Sequence, residues 1–386
     1  MIPYGRQSIS EDDIAAVVAV LKSDFLTQGP VVEQFEATVM RATNAQHAVA
    51  MNSATSALHI ACLAMDLGAG DWLWTSPITF VASANCALYC GASVDFVDID
   101  PTTYNMCPKA LAEKLAWAKQ NNRLPKVIVP VHLAGQSCDM QAIQQLASEY
   151  GCKVIEDASH AIGAHYMGEP VGNCRYSDIT VFSFHPVKIV TTAEGGLATT
   201  NNPELAQRMA ELRTHGITRD PKRMTKAPDG PWYYQQIALG LNYRMTELQA
   251  ALGCSQMARL NEFVAHRQAV AKHYNNTLND LPLQLPKQLE GTYSSYHLYI
   301  IRLQLEHAHI GHKALFEALR HHGIGVNLHY IPVHLQPYYT QLGFAEGMFP
   351  NAEQYYKEAI SIPVYHGMTA EQQARVIEVL HETLSQ

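Results

Sequence analysis

Short apolar runs alternate with amphipathic stretches through the first two-thirds of the chain. The runs that predict buried strands are WLWTS (72–76), SVDFVDI (93–99), KVIVPV (126–131), CKVIE (152–156), DITVFSF (178–184) and GLATT (196–200). Helical spacing lies between most of them, as in 111–120 and 140–150, and earlier in Ile14, Val17, Val18 and Leu21. Strands that are apolar on both faces and alternate with helices predict a mostly parallel sheet covered on both sides.

The pattern changes in the last third. A long helical pattern runs from about Thr246 to about Leu278, and HLYIIRLQL (297–305), a helix near 311–322 and GVNLHYIPV (325–333) follow it. This mixture of helical and strand-like segments predicts a small α+β unit. We therefore expect a large domain over 1–255 and a smaller one over 256–386. The segment 214–234 is rich in Gly, Pro and charge, which predicts an exposed loop near the site.

Composition narrows the class of protein. The chain has 386 residues, 47% of them hydrophobic and 16% charged, with a net charge of -8. No basic surplus is available for nucleic acid or an anionic membrane, and no apolar run approaches a membrane span. The eight cysteines form no CxxC pair, and Cys86 and Cys90 lie four apart, as on one helix face. Reduced, buried thiols and the absence of a signal-like start predict a cytoplasmic protein.

Two reactive side chains each follow a predicted strand. Asp157 ends the strand CKVIE, and ligands bind at the carboxyl ends of strands in open α/β sheets. Such a carboxylate can hold the pyridine nitrogen of pyridoxal 5′-phosphate (PLP) protonated, although a metal ligand or a helix cap fits it too. Lys188 lies in the apolar, Gly-rich turn SFHPVKIVTTAEGG (183–196), where lost solvation frees a nucleophilic amine. A surface lysine is the alternative.

Two further signals fit the same cofactor. NSATSALHIACLAM (52–65) places a small, hydroxylated turn before a helix, whose N-terminal N–H groups attract an anion. Ser53, Ala54 and Thr55 are thus predicted to bind a phosphate, with Ser183 adding a hydroxyl, but a simple N-cap has the same pattern. Phe80 opens the next predicted helix and can stack on a pyridine ring or pack in the core.

These motifs occur in an order found in one family. They are FLTQGP (25–30), NSATSAL (52–58), TFVASANC (79–86), EDASHAIGA (156–164), SFHPVKIVTTAEGG (183–196), LNYRMTELQAALG (241–253) and SIPVYHGMT (361–369). Over nearly its whole length the chain resembles the DegT/DnrJ/EryC1/StrS aminotransferases. The resemblance implies a fold-type I PLP-dependent transferase. Such a fold has a large domain with a mostly parallel seven-stranded sheet between helices, and a smaller C-terminal α+β domain.

The resemblance also implies roles for single residues. Lys188 is the catalytic lysine that binds PLP covalently, Asp157 the pyridinium partner, Phe80 the stacking ring and His160 a contact to a cofactor oxygen. Many relatives carry Gln at the position of His160, and its protonation stays open because imidazole titrates near neutral pH. The implied phosphate ligands are Ser53, Ala54, Thr55, Ser183 and, from the neighbouring subunit of a homodimer with shared sites, Asn242. The implied substrate contacts are Tyr4, Asp24, Phe25, Leu26, Thr27, Ala54, Ser183, Asn242, Asn327, Leu328, His329 and Tyr330.

The segment GVNLHYIPVHLQPYY (325–339) resembles that of family members in pseudaminic acid biosynthesis. It implies transfer of the amino group of L-glutamate to a UDP-linked 4-keto-6-deoxy-N-acetylhexosamine, with PLP cycling through pyridoxamine phosphate. Another nucleotide keto-sugar is the alternative, because one methyl or hydroxyl shifts discrimination by only about 1–3 kcal/mol.

Three other functions agree with parts of the sequence. A pyridoxamine-phosphate-dependent sugar dehydratase of the same family has His in place of the lysine, whereas this chain has Lys188. A non-catalytic sugar-binding relative predicts an eroded site, whereas Asp157 and Asn242 are present. A metalloenzyme is suggested by the 19 histidines, but His329 and His334 lack the i, i+4 spacing of a zinc-binding helix.

Overall fold

A seven-stranded sheet lies at the centre of the larger part of the molecule in the computed structural model, which describes residues 1–385. The helices are α1 (Glu11–Leu21), α2 (Pro30–Thr43), α3 (Ala54–Ala64), α4 (Ala82–Tyr89), α5 (Pro108–Gln120), α6 (Met140–Tyr150), α7 (Pro203–Leu212), α8 (Glu247–Met257), α9 (Leu260–Thr277), α10 (His312–His321), α11 (Pro337–Thr340), α12 (Pro350–Glu358) and α13 (Ala370–Leu384). The strands are β1 (His47–Met51), β2 (Trp72–Thr75), β3 (Ser93–Phe96), β4 (Val127–Val129), β5 (Lys153–Asp157), β6 (His165–Tyr166), β7 (Glu169–Pro170), β8 (Ile179–Ser183), β9 (Gly196–Thr200), β10 (Ile217–Thr218), β11 (Gln235–Gln236), β12 (Leu283–Gln284), β13 (Thr292–Tyr293), β14 (Tyr299–Leu303) and β15 (Ala359–Ile362).

The strand order of the large sheet is β1-β9-β8-β5-β4-β2-β3. Strands β8, β5, β4, β2 and β3 run parallel, and β9 is antiparallel to both β8 and β1. All five residues of β8 and all five of β9 are buried, because helices cover both faces of the sheet. The prediction of a mostly parallel sheet between helices is confirmed.

A second, antiparallel sheet of three strands, β12-β14-β15, carries its own apolar core with Tyr274 and Tyr299. Residues at the start of the chain also join this unit, since the N–H of Gly325 donates to the carbonyl of Ile2. The expected domain limit at 255/256 falls inside α8 and stays a prediction. No helix within residues 1–385 is both long and apolar enough to cross a bilayer.

One expectation about the last third was wrong in detail. The single helix expected over 246–278 is two helices, because α8 ends at Met257 and α9 begins at Leu260. At this break the Arg259 guanidinium donates to the buried carboxylate of Asp13 (2.6 Å), which fixes the turn. The apolar segment 325–333 contributes only one bridge of strand type, between Asn327 and Ser361.

The first helix is also present, but three of the four apolar residues that predicted it point outwards. Ile14, Val18 and Leu21 are 48%, 38% and 56% exposed, whereas Asp13 is fully buried. The helix is held instead by Asp13, whose carboxylate accepts hydrogen bonds from Gln256 and Arg259. The amphipathic pattern therefore located the helix and left open which side faces the core.

Candidate active site

A cavity of about 410 Å³ opens at the carboxyl ends of β5 and β8. Its walls come from both parts of the molecule: the start of α3, the turn before α4, the segments after β5 and β8, and 327–330. The predicted site residues that line it are Tyr4, Ser53, Ala54, Thr55, Phe80, Asp157, His160, Ser183, Lys188, Asn327, Leu328, His329 and Tyr330. Neighbouring parallel strands end at one edge of a sheet, so segments distant in sequence meet there.

Lys188 presents an amine without a partner to this cavity. No hydrogen bond or ion pair to its Nζ occurs within the described part of the chain. Burial lowers the pKa of this amine to about 8, and the negative charge of Asp157 opposes the shift. A fraction of the amine is therefore neutral and nucleophilic near neutral pH.

Asp157 is held in place by two donors. Its Oδ2 accepts from the Ser83 hydroxyl (2.6 Å) and its Oδ1 from the Ser159 N–H (3.1 Å). The carboxylate is 4% exposed and no cation pairs with it among residues 1–385. A buried carboxylate with only neutral donors attracts a protonated nitrogen presented from the cavity.

The start of α3 forms an anion cradle together with the end of β8. The Ser53 hydroxyl caps the helix by accepting from the Ser56 N–H (3.1 Å), which leaves the first N–H groups of the helix unpaired. Ser183 pairs with Gly196 in the sheet, and a Cβ at Gly196 would lie 2.3 Å from the Ser53 carbonyl carbon. Glycine at 196 therefore permits the close approach of β9 to the cradle.

His160 has one tautomer consistent with its contacts. Its Nδ1 accepts the N–H of Ala134 (3.3 Å), so the ring proton is on Nε2, which lies 3.1 Å from the Tyr330 hydroxyl. Burial, then the charges of Lys188 and His329, hold the pKa of His160 well below its usual value. The protonation that the sequence left open is thus that of a neutral imidazole.

The segment 327–330 brings further polar groups to the cavity. The Nδ1 of His329 bonds with the Ser361 hydroxyl (2.8 Å), and its Nε2 lies 3.4 Å from the Asn327 amide nitrogen. Burial, with a smaller effect of Lys188, lowers the pKa of His329 to about 3. The His329 ring also packs 5.4 Å from that of Tyr4, which closes one side of the cavity.

Asn242 and the segment Asp24–Thr27 do not line this cavity. All of these residues are exposed. Thr27 pairs with Thr246 and the Leu26 carbonyl accepts from the Glu247 N–H (3.0 Å), whereas Asn242, earlier in the same motif, pairs with Thr214. The two motifs that the resemblance assigned to ligand binding therefore share one surface outside the cavity of their own chain.

Several residues of the site were missed by sequence reasoning. Ser83, Ser159, His185 and Glu194 contribute polar groups in or beside the cavity. Ser83 lies in the motif TFVASANC, one helical turn after Phe80. That spacing is the signal that could have identified it. Within residues 1–385, no group of three or more His, Cys, Asp or Glu side chains is arranged to hold a metal ion.

The fold and the cavity together define a fold-type I PLP-dependent transferase. Each part of PLP has a matching group in the cavity. The unpaired Lys188 amine fits the aldehyde, and the Asp157 carboxylate, which has no cation partner, fits the ring nitrogen. The anion cradle fits the phosphate, and the 59% exposed ring of Phe80 fits the face of the pyridine ring.

Comparison with known proteins gives the same class. Residues 7–381 match the model of the DegT/DnrJ/EryC1/StrS aminotransferase family, and the chain belongs to that family. It is 37% identical to the spore coat polysaccharide biosynthesis protein SpsC of Bacillus subtilis, over 99% of this chain and 96% of that protein.

Solved structures of similar proteins share the whole fold. One is Helicobacter pylori PseC, an aminotransferase involved in pseudaminic acid biosynthesis, at a TM-score of 0.90 and 31% identity over 100% of this chain and 99% of that one. Another is a Streptococcus pneumoniae protein assigned as a sugar aminotransferase, whose PMP form gives a TM-score of 0.90 and 29% identity over 99% of both chains. The same protein is also solved in a PLP form. The protein is accordingly a PLP-dependent sugar aminotransferase.

Proposed function

We propose that the protein transfers the amino group of L-glutamate to C4 of a UDP-linked 4-keto-6-deoxy-N-acetylhexosamine, in pseudaminic acid biosynthesis. The observation that carries the proposal is the meeting of the Lys188 amine and the Asp157 carboxylate in one cavity, whose far wall is the segment 327–330. The likeness to Helicobacter pylori PseC over the full chain supports this sugar class.

Lys188 and Asp157 divide the chemistry between them. When bound, PLP supplies the carbon that carries the amino group and a ring that takes up the electrons of the broken C–H bond. The Lys188 amine would hold the cofactor, and the same amine is placed to take the proton from Cα of glutamate and to return one at C4 of the sugar. Asp157 holds a proton on the ring nitrogen, and Ser83 and Ser159 keep its carboxylate aimed there.

A chain of hydrogen bonds orients the proton of the Tyr330 hydroxyl. The Ala134 N–H donates to His160 Nδ1, and His160 Nε2–H donates to the Tyr330 oxygen. The Tyr330 hydroxyl then has its own proton free to donate to an oxygen bound in the cavity. Burial raises the pKa of Tyr330, so the hydroxyl stays protonated through the physiological range.

We propose in addition that two copies of the chain form a homodimer with shared sites. Asn242 and Asp24–Thr27 are exposed, and Thr27 pairs with Thr246 of the motif that contains Asn242. Phe25 and Leu26 are 52% and 50% exposed. The buried Glu247 carboxylate fixes this surface by accepting the N–H groups of Gly29 and Val31. Apolar side chains exposed beside a polar group suit a subunit interface. Such an interface would bring Asn242 to the PLP phosphate in the partner subunit's site.

A second candidate substrate is another nucleotide keto-sugar. It is favoured by the identity to SpsC, which at 37% exceeds the 31% identity to PseC. Both candidates use the same Lys188 chemistry and differ in the contacts to the sugar ring and the nucleotide.

The test is incubation of the purified protein with L-glutamate and a panel of UDP- and dTDP-linked 4-keto sugars, followed by mass spectrometry. We expect the amino sugar from the UDP-linked N-acetylhexosamine, together with 2-oxoglutarate. Lys188→Ala should abolish the product and the absorbance of lysine-bound PLP, whereas Lys153→Ala, at an exposed ion pair with Asp178, should keep both. Turnover of a dTDP sugar alone would contradict the UDP assignment, and full activity of Lys188→Ala would refute the mechanism.

A further inference from the structure

Glu156 is a buried carboxylate that the proposed mechanism does not use. It precedes Asp157 on β5, and consecutive side chains of a strand point to opposite faces of the sheet, so Glu156 faces away from the cavity. Its Oε1 accepts from the hydroxyls of Ser177 (2.5 Å) and Thr180 (3.1 Å), and its Oε2 lies 2.7 Å from Nε2 of His132. Both oxygens of a buried carboxylate are thus occupied, one of them by a single imidazole.

The His132 ring makes a hydrogen bond through each of its nitrogens. Its Nδ1 accepts the N–H of Cys138 (3.1 Å), so the ring proton is on Nε2 and points at Glu156. Glu156 fixes this tautomer, because a proton on Nδ1 would face the Cys138 N–H as a second donor and leave the carboxylate without its third bond. The ring therefore closes the loop 132–138 on itself.

This loop carries the N–H that bonds to His160. Ala134 lies in it at φ 60°, in the left-handed region that residues other than glycine rarely adopt, so contacts must hold the turn in shape. From the outside, N–H groups of the segment 295–298 donate to the carbonyls of Ala134 (3.3 Å) and Gly135 (3.0 Å). From the inside, the His132 ring ties the loop to β5 through Glu156.

We propose that Glu156 and His132 are positioning residues for the pair of His160 and Tyr330. Glu156 holds the His132 ring, and the ring holds the loop. The Ala134 N–H of that loop keeps the His160 proton on Nε2, directed at the Tyr330 oxygen. Loss of the Glu156 carboxylate would free the loop and allow the His160 proton to move to Nδ1. The effect on turnover rests on the proposed function, whereas the position of this proton does not.

The test uses the PLP-loaded protein with its histidines labelled with 15N, because long-range 1H–15N NMR spectra show which ring nitrogen carries a proton. His160→Gln and His132→Asn each remove one set of signals, which assigns the two rings. In the wild-type protein we expect the proton on Nε2 of both. Glu156→Leu should move the His160 proton to Nδ1 in a measurable share of molecules. Glu156→Gln, whose amide oxygen still accepts from His132, should preserve the wild-type pattern.

Glu353→Leu is the matched control, because it breaks another buried pair of a carboxylate and an imidazole, between Glu353 and His334 (3.0 Å). Neither residue lines the cavity or bonds to the loop 132–138. This variant should leave the His160 proton on Nε2. An unchanged His160 in folded Glu156→Leu, or the same change in Glu353→Leu, would overturn the proposal.

A second pair of variants decides the matter if Glu156→Leu does not fold. In His132→Asn the amide oxygen can take the place of Nδ1 and accept the Cys138 N–H, so the His160 proton should stay on Nε2. His132→Leu offers no acceptor, and the His160 proton should move. Identical His160 signals in these two variants would contradict the proposal.

Kinetics distinguish positioning from general damage. Glu156→Leu should lower kcat roughly fivefold with little change in KM, and Glu156→Gln should restore most of the loss. In a Tyr330→Phe background Glu156→Leu should lower kcat no further, because both changes act through the same hydroxyl. Independent, multiplicative losses would refute that route. If none of the sugars is a substrate, the proposed function fails, but the NMR spectra still decide whether Glu156 sets the His160 proton.

Discussion

The Ser83 hydroxyl on α4 donates a 2.6 Å hydrogen bond to the Asp157 carboxylate, 74 residues further along the chain at the end of β5. Both groups are buried, and Ser83 is itself bonded to the Thr79 hydroxyl (2.7 Å). This contact connects the turn that carries Phe80 with the carboxylate that we expect to bind the ring nitrogen of PLP. Ser83 is therefore a positioning residue for Asp157.

Removal of the Ser83 hydroxyl should weaken PLP binding without unfolding the protein. For Ser83→Ala we expect a loss of about 1 kcal/mol in PLP binding, or roughly fivefold in Kd, because one hydrogen bond to the carboxylate is lost. Equilibrium dialysis of PLP measures the change. Ser137→Ala, at a buried hydroxyl outside the cavity that donates to the Cys138 carbonyl, is the control for general damage, and an equal loss there would argue against a specific role of Ser83.

The lowered pKa of Lys188 should appear in the stability of the cofactor-free protein. The folded amine has a pKa of about 8 against 10.5 when unfolded, so the unfolded chain binds the extra proton between these values. Stability therefore rises with pH through this window, and the penalty is fully present below pH 8. Lys188→Met removes the buried charge, so it should raise the free energy of unfolding of the apoprotein by about 1–2 kcal/mol at pH 7. This gain is smaller than the full pKa shift implies, because contact with solvent screens part of the charge.

Urea denaturation at pH 7 and pH 10 measures this difference. The advantage of Lys188→Met should shrink at the higher pH, where the wild-type amine is neutral in the folded state and increasingly neutral in the unfolded one. An advantage that stays constant with pH would trace to packing and would contradict the shifted pKa. Lys153→Met, at an exposed lysine, should show no such dependence.

The Tyr330 hydroxyl should act in turnover more than in folding. Tyr330→Phe removes the proton that the chain Ala134–His160–Tyr330 directs into the cavity, so we expect kcat to fall roughly tenfold, the value of one hydrogen bond made mainly in the transition state. Steady-state kinetics with both substrates check this. Tyr338→Phe, at a neighbouring tyrosine that is 57% exposed, should leave kcat unchanged.

Sharing of sites between subunits can be tested by complementation. Lys188→Ala and Asn242→Ala should each be nearly inactive as pure proteins. If Asn242 serves the partner's site, a hybrid dimer has one site with both native residues, and random mixing restores about one site in four. Denaturing and refolding the two variants together, then assaying the mixture, measures the recovery. No recovery in a mixture that forms dimers would refute shared sites.

Much of the site could be predicted from the sequence because its parts are local motifs. Lys188, Asp157 and the phosphate cradle each belong to a short segment at the end of a strand or the start of a helix, and apolar strands of this kind can pair only in a covered sheet. Two reactive groups at the ends of neighbouring strands had to meet. The structure places both residues in the lining of one cavity.

Other features depend on contacts between distant segments, and no local pattern encodes them. The break between α8 and α9 follows from Arg259 reaching Asp13, and the outward apolar face of α1 from the burial of that same Asp13. The neutral tautomer of His160 is set by the N–H of Ala134 in another loop. Periodicity and motif thus determined which elements form and which residues are candidates for the chemistry. The tertiary structure alone decided which face of a helix is buried and which proton sits where, because these follow from the close packing of residues far apart in the chain.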